Sequence, residues 1–213
     1  ILAAALLLPV AVKATFFFVL APLAARRPPI RLLPDPAAPA VSPPTGSAVT
    51  VALAIAPGEE LLVQPDYLQG SGEPARKSTR WLLNPSLPLS SLASGLYALT
   101  RLAPAADRGP AHVTLAARRD PLDELAVLAL PPGAALVLQP RALAGVLQSA
   151  AAPLRISRHW RLGSLHAWLT LQLRYLVFHG PCQLVLKGGR GVRGEVPGDG
   201  EPRRINQDAT LGF

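Results

Sequence analysis

The sequence predicts an all-β domain carried behind an apolar N-terminal stretch. Three observations predict it: strict alternation through Val49, Val51, Leu53 and Ile55; a strand-and-turn block written twice; and 24 Pro and 17 Gly among 213 residues, with aromatics at only 5%. Such punctuation suits many short strands joined by turns better than long helices. At 22.4 kDa the chain is long enough for one sizeable core or two fused half-domains.

The doubled block is Pro57-Gly58-Glu59-Glu60-Leu61-Leu62-Val63-Gln64-Pro65-Asp66-Tyr67-Leu68-Gln69-Gly70. It recurs 75 residues later as Pro132-Gly133-Ala134-Ala135-Leu136-Val137-Leu138-Gln139-Pro140-Arg141-Ala142-Leu143-Ala144-Gly145, with Pro, Gly, Leu, Gln, Pro, Leu and Gly in one register. Gly109-Pro110-Ala111-His112-Val113-Thr114-Leu115 aligns in the same way with Gly180-Pro181-Cys182-Gln183-Leu184-Val185-Leu186. Leu130-Pro131-Pro132-Gly133 is echoed in Glu195-Val196-Pro197-Gly198, and a weaker third echo runs from Gln207 to Gly212. Turn and core residues recur while Glu59, Glu60, Asp66 and Tyr67 give way to Ala134, Ala135, Arg141 and Ala142. That is the behaviour of a structural module, and it predicts a pseudo-symmetric duplicated antiparallel β-sandwich over residues 48–213, with modules of about 48–129 and 130–213.

In chain order, residues 1–25 are apolar apart from Lys13 and Thr15. As a helix they would run about 37 Å against a hydrocarbon core of about 30 Å, which predicts a transmembrane helix. Lys13 opposes insertion, and the run Phe16 to Leu20 offsets it; a partner carboxylate on a neighbouring helix is the sharper alternative. Arg26, Arg27 and Arg31 follow the apolar run rather than preceding it. This is against a cleaved signal peptide, and the positive-inside bias puts the remaining chain on the cytoplasmic, matrix or stromal side. Residues 26–47 form a basic, proline-rich linker whose seven prolines between Pro28 and Gly46 predict a stiff, extended spacer.

Strands are expected at 48–56 and, after the Pro57-Gly58 turn, at 61–64, then at 79–83, 112–116, 125–130, 136–139, 143–148 and 154–159. Leu87 to Leu102 is a short helix or an irregular excursion: Leu92, Leu96 and Leu99 fit one helical face, but Pro88 and Gly95 interrupt it. The clearest alternation runs from Trp168 to Phe178. Gly188-Gly189 reads as a hairpin turn between strands 183–187 and 192–196.

These modules are similar to a known family. The Pro-Gly-led strand pair with Gln64-Pro65, the leucine-rich insert 87–102, the Pro132-Gly133 copy and the strand Leu173-x-Tyr175-x-Val177-Phe178-x-Gly180-Pro181 resemble the altered inheritance of mitochondria family. That family's fold is similar to the tryptophan RNA-binding attenuator protein. The resemblance covers about residues 48–213. It implies an all-β double-sheet domain without established catalytic residues, and mitochondrial members linked to inner-membrane organisation and to the stability of membrane complexes. The N-terminal apolar stretch and proline-rich linker are additions to that pattern.

Candidate chemistry is sparse. Gly189-Arg190-Gly191-Val192-Arg193-Gly194 fits G-x-G-x-x-G, but Glu195-Val196-Pro197-Gly198 cannot open the helix a pyrophosphate site needs, so a glycine-rich hairpin is the better reading. His179 and Cys182 have nucleophile–base or metal-ligand spacing, yet further ligands are not visible and Cys182 aligns with the small Ala111, as a core residue would. His112, His159 and His166 are scattered. Asp120, Asp123 and Glu124 lack the alternating oxygens of a calcium loop and read as a solvated turn. A single cysteine gives no intrachain disulfide and no multi-cysteine metal site. RNA binding needs exposed stacking platforms, whereas Trp160, Trp168, Tyr175 and Phe178 fall at expected core positions, so nucleic acid is disfavoured.

The net charge of +8 is concentrated in residues 155–204, where nine Lys and Arg face three Asp and Glu. A basic surface in a chain with a membrane segment fits an integral membrane protein complex or anionic lipid headgroups. The expectation is therefore a non-enzymatic, membrane-anchored scaffold or accessory subunit, with no cofactor and no metal. Its membrane would be the bacterial cytoplasmic membrane or an organelle inner membrane. Partner or lipid contacts are expected at Lys13, Arg26, Arg27, Arg31, Arg190 and Arg193. The alternative is a ligand- or lipid-surface-binding β module without a fixed protein partner. The absence of Met and an end at Leu211-Gly212-Phe213 without a polar tail suggest part of a longer chain.

Overall fold

The computed structural model describes residues 2–20, 22–23, 39, 41–44, 46–73, 75–105, 108–118, 120–160, 174–195 and 210–213. The chain divides into two compact units, residues 1–34 with 159–175 and residues 35–158 with 176–213.

In the first unit an α-helix runs from Leu2 to Thr15, with Pro9 inside it, and passes into a π-helical turn, Phe16–Leu20. Thr15 Oγ1 donates to the Ala11 carbonyl at 2.8 Å, the acceptor an α-helical Thr15 N–H would use, and the hydrogen-bond pattern widens directly after it. No helix among the described residues is long and apolar enough to cross a membrane. The 14 α-helical residues rise about 21 Å, short of a hydrocarbon core of about 30 Å. Leu7, Leu8, Val10, Phe17 and Phe18 are all exposed, so apolar side chains project to solvent all around this segment.

The second unit is β-sheet, two of whose strands run on into the first unit at residues 159–160 and 174–175. Its strands are β1 (Thr50–Ile55), β2 (Glu59–Val63), β3 (Leu68–Ser71), β4 (Ala75–Leu82), β5 (Tyr97–Pro104), β6 (Ala111–Ala116), β7 (Asp123–Leu130), β8 (Ala135–Val137) and β9 (Leu143–Ser149); β10 (Arg155–Trp160), β11 (Arg174–His179) and β12 (Cys182–Gly189) follow. They form a six-stranded sheet, β4-β5-β2-β9-β12-β7, and two three-stranded sheets, β1-β6-β3 and β10-β11-β8. Directly paired residues share a face of a sheet. On the six-stranded sheet Leu62, Leu99, Leu128, Val146 and Leu184 therefore lie on one face, packed with Leu176 and Phe178 of β11. Leu61, Val63, Leu102, Leu147 and Val185 lie on the other, packed with Leu53, Ile55, Val113 and Leu115 of β1 and β6. The six-stranded sheet is thus a central layer with a separate core on each face.

The turns explain how one chain feeds three sheets. Gly58 and Gly133 have φ of 87° and 82°, a region L side chains rarely adopt, so each Pro-Gly supplies a turn that only glycine makes cheaply. Each is closed by one bond, Glu59 N–H to the Ala56 carbonyl and Ala134 N–H to the Pro131 carbonyl. Both turns carry the chain from one sheet to another: β1 to β2 into the central sheet, β7 to β8 out of it.

Two pairs of ladders run in similar registers. Thr50↔Ala116 to Ile55↔Ala111 joins β1 to β6, and Leu125↔Lys187 to Leu130↔Cys182 joins β7 to β12. The β3–β6 ladder shifts register between Leu68 and Gly70, and the β9–β12 ladder between Val185 and Leu186, which faces Leu143. β2 joins β9 through Leu61↔Leu147, whereas the far edge of β8 bridges Leu138 to Gly212.

Three expectations change. Residues 87–102 hold the expected short helix, Pro88–Ala93, but then enter β5: Gly95, at φ 72°, stops the helix, leaving Leu92 exposed while Leu96 and Leu99 are buried. Gly188-Gly189 is not a hairpin turn; β12 continues through it, pairing Gly188 with Glu124 and Gly189 with Asp123, and residues 191–195 are not a strand. The linker does not stay free to residue 47, since Val41 packs against the Phe178 core and Ser47 bonds into the β-domain. The strongly alternating run from Trp168 lies outside the described residues except for β11.

Candidate functional site

The most organised polar group surrounds Glu60. It sits at the start of β2, on the face that carries Leu62, and is 3% exposed. A carboxylate buried this deeply needs charged and hydrogen-bonded partners. Arg101 Nε donates to Oε2 at 2.5 Å; Gln148 Nε2, from the paired position on β9, donates to Oε1 at 2.6 Å, and Arg80 Nη1 approaches Oε1 at 3.4 Å. Gln148 Oε1 in turn accepts from the Leu154 amide at 2.8 Å. Two guanidinium groups thus meet one carboxylate, leaving an excess positive charge at the mouth of an open depression of about 380 Å³, lined also by Ser78, Thr79, Ala150 and Pro153. Ser78 faces Arg101 directly in the β4–β5 register.

This cluster escaped sequence reasoning because its members are scattered over positions 60 to 148 and Glu60 stands among leucines. The available signal was a charged residue at an inward strand position, which demands a compensating partner. The acidic residues singled out in sequence separate instead. Asp120 Oδ1 accepts from the Leu122 amide, Asp123 Oδ2 from the Tyr67 hydroxyl at 3.4 Å, and Glu124 Oε2 from the Ser47 hydroxyl at 2.5 Å. Lys187 Nζ donates to the buried Tyr67 hydroxyl at 2.9 Å. Among the described residues no group of three His, Cys, Asp or Glu side chains could hold a metal ion.

His179 and Cys182 do not work on each other. The Cys182 thiol is directed at the His179 carbonyl, 3.9 Å away, and the imidazole Nε2 lies 2.7 Å from Ser157 Oγ. Burial pushes the thiol up to about 11, so it stays protonated at neutral pH. Burial and the neighbouring Arg155 charge hold His179 below its ordinary value, which disfavours the imidazolium that a base would become. Past Gly189 no helix opens among the described residues, and Gly194 lies against Pro43 and Pro44. The G-x-G-x-x-G pattern therefore lacks the helix N-terminus a phosphate would use.

Of the expected contact residues, Lys13 is exposed on the N-terminal helix. Arg190 is exposed in a left-handed turn at φ 63°, its amide bonded to the Leu122 carbonyl, and the exposed Arg193 lies 3.8 Å from Glu195. Arg26, Arg27 and Arg31 lie outside the described residues. Phe178 is fully buried as expected, but Trp160 is exposed, and Trp81 on β4 is the more exposed aromatic at 75%. Comparison of the chain with protein-family models, with curated proteins and with solved structures gave no match.

Proposed function

We propose that this chain is a non-enzymatic accessory subunit, held at a membrane by its apolar N-terminal stretch, that stabilises or organises an integral membrane protein complex. The observation that carries the reading is the N-terminal segment: Leu7, Leu8, Val10, Phe17, Phe18 and Leu23 are each more than half exposed. A helix whose exposed side chains are apolar apart from Lys13 and Thr15 is at home in lipid or against other apolar helices. Residues 1–25 would serve as a single membrane pass, in the bacterial cytoplasmic membrane or an organelle inner membrane. The β-domain would then stand on the side of Arg26, Arg27 and Arg31.

The β-domain in this reading is a duplicated module, β1–β6 in one copy and β7–β12 in the other, so the boundary falls before Asp123 rather than at 129/130 and each copy contributes one three-stranded sheet and three strands of the central one. Its support is the agreement of register and bulge between the β1–β6–β3 and β7–β12–β9 ladders. The resemblance to the altered inheritance of mitochondria family points the same way. The protonated thiol of Cys182 and the neutral imidazole of His179 support a role without covalent chemistry. Affinity purification of the full chain from native membranes in mild detergent, with identification of the co-purifying subunits, tests the proposal. Stoichiometric integral membrane subunits are expected; an isolated monomer would remove it.

A further inference from the structure

We infer that the depression beside Glu60 is a binding site for a phosphate group, with Arg80, Arg101 and Ser78 as its donors. Glu60 takes the Nε edge of Arg101 and one terminal nitrogen of Arg80. Glu60 is itself fixed by Gln148, which is fixed by the Leu154 amide. The arginines are therefore held in place by a buried carboxylate that does not exhaust their donors: the terminal nitrogens of Arg101 and the second terminal nitrogen of Arg80 stay available. Their side chains are 43% and 31% exposed, so those donors meet solvent.

The alternation of β4 adds to the set. Arg76, Ser78 and Arg80 share one face, and Ser78 lies directly across from Arg101. Two guanidinium groups, Arg80 and Arg101, and the Ser78 hydroxyl thus line one depression against the single negative charge of Glu60, with Arg76 further along the same strand face. Planar, forked donors of this kind match the tetrahedral oxygens of phosphate and hold them by charge-assisted bonds. Among the described residues the lining offers guanidinium and hydroxyl donors and no aromatic platform, which suits the phosphate and a small group attached to it. Its volume of about 380 Å³ exceeds what phosphate alone needs and accommodates a small phosphomonoester or a lipid headgroup. This inference stands apart from the membrane proposal, since nothing in it depends on the N-terminal segment.

The test titrates the full chain in nonionic detergent with inorganic phosphate, glycerol phosphate and micelle-dispersed short-chain phosphatidic acid, read by calorimetry. Saturable binding of at least one probe is expected, weakening as salt rises. Tighter binding of glycerol phosphate marks a soluble ligand; tighter binding of phosphatidic acid marks a headgroup. Ser78→Ala and Arg80→Gln should each weaken the preferred probe roughly tenfold. Arg101→Ala is a poor variant because it strands Glu60; Arg76→Gln, on the same face of β4 but outside the depression, is the comparison and should weaken binding less than Arg80→Gln. Unchanged thermal unfolding confirms that each variant is folded. Absence of binding by all three probes, or unchanged affinity in folded Ser78→Ala and Arg80→Gln, overturns the inference.

Discussion

Gln64 and Gln139, 75 positions apart, make the same two bonds. Gln64 donates from Nε2 to the Leu143 carbonyl and from its amide to the Ala144 carbonyl, both at 2.9 Å. Gln139 donates from Nε2 to the Thr210 carbonyl at 2.9 Å and from its amide to the Leu211 carbonyl at 2.8 Å. Each glutamine closes its strand and fastens it to the neighbour beyond, just before Pro65 or Pro140 opens a 3-10 turn. The neighbour of β2 is β9; the neighbour of β8 is the segment at 211–213. Gln64 is buried, so Gln64→Ala strips a buried carbonyl of its partner and should cost about 1–3 kcal/mol. Gln139 is only half-buried, and Gln139→Ala should cost less; chemical unfolding of the two variants checks the order.

The glycines that end this block report where strands abut. A Cβ on Gly145 would come within 2.9 Å of the Leu62 carbonyl, because β2 covers that side of β9. At Gly70 nothing lies within 4 Å. Gly145→Ala should therefore destabilise by about 1–3 kcal/mol, and Gly70→Ala should be close to neutral. Equal losses at both positions would contradict this packing.

The pH dependence follows from two groups that burial shifts, the half-buried His179 and the buried Cys182. His179 is held below its ordinary value, so the unfolded state takes up its proton first. Its stabilising contribution is present above about 6.5 and is lost as pH falls further. Replacing His179 by Gln should flatten the acid side of the stability curve. Cys182 is raised, so its contribution holds below the unfolded thiol value of about 8.5 and is lost as pH climbs toward about 11. A thiol reagent at pH 8 should modify the native chain slowly and the unfolded chain at once.

Arg190 and Arg193 stand exposed at the far end of β12, with Glu195 beside Arg193 among the described residues. In the accessory-subunit reading they supply an electrostatic contact, so the double variant Arg190→Glu, Arg193→Glu should co-purify with fewer membrane subunits and show a weaker salt dependence. Unchanged co-purification removes these two residues from the contact.

Much of the β-domain was legible in the sequence because its signals are local. Period-two alternation located β1, β6 and β7, and positive-φ glycines marked both sheet-changing turns. The partners of those strands were not legible: Pro57-Gly58 looks like the tip of a hairpin, yet β1 and β2 enter different sheets. Gly188-Gly189 misled for the opposite reason: both lie inside β12, where a Cβ on Gly188 would come within 2.9 Å of Val192. The Glu60 cluster draws on four strands or their ends, and no spacing rule connects residues 60, 80, 101 and 148. Only the cost of burying an uncompensated carboxylate links them, and that cost is visible once the fold is known.

Alkaline extraction of native membranes is the most direct test of the account. The full chain is compared with a variant carrying Leu7, Leu8, Phe17 and Phe18 all changed to Ser. The unmodified chain is expected to remain in the membrane pellet and the serine variant to be released into the supernatant. Release of the unmodified chain, or retention of both, would contradict the claim that the exposed apolar N-terminal segment holds the β-domain at a membrane.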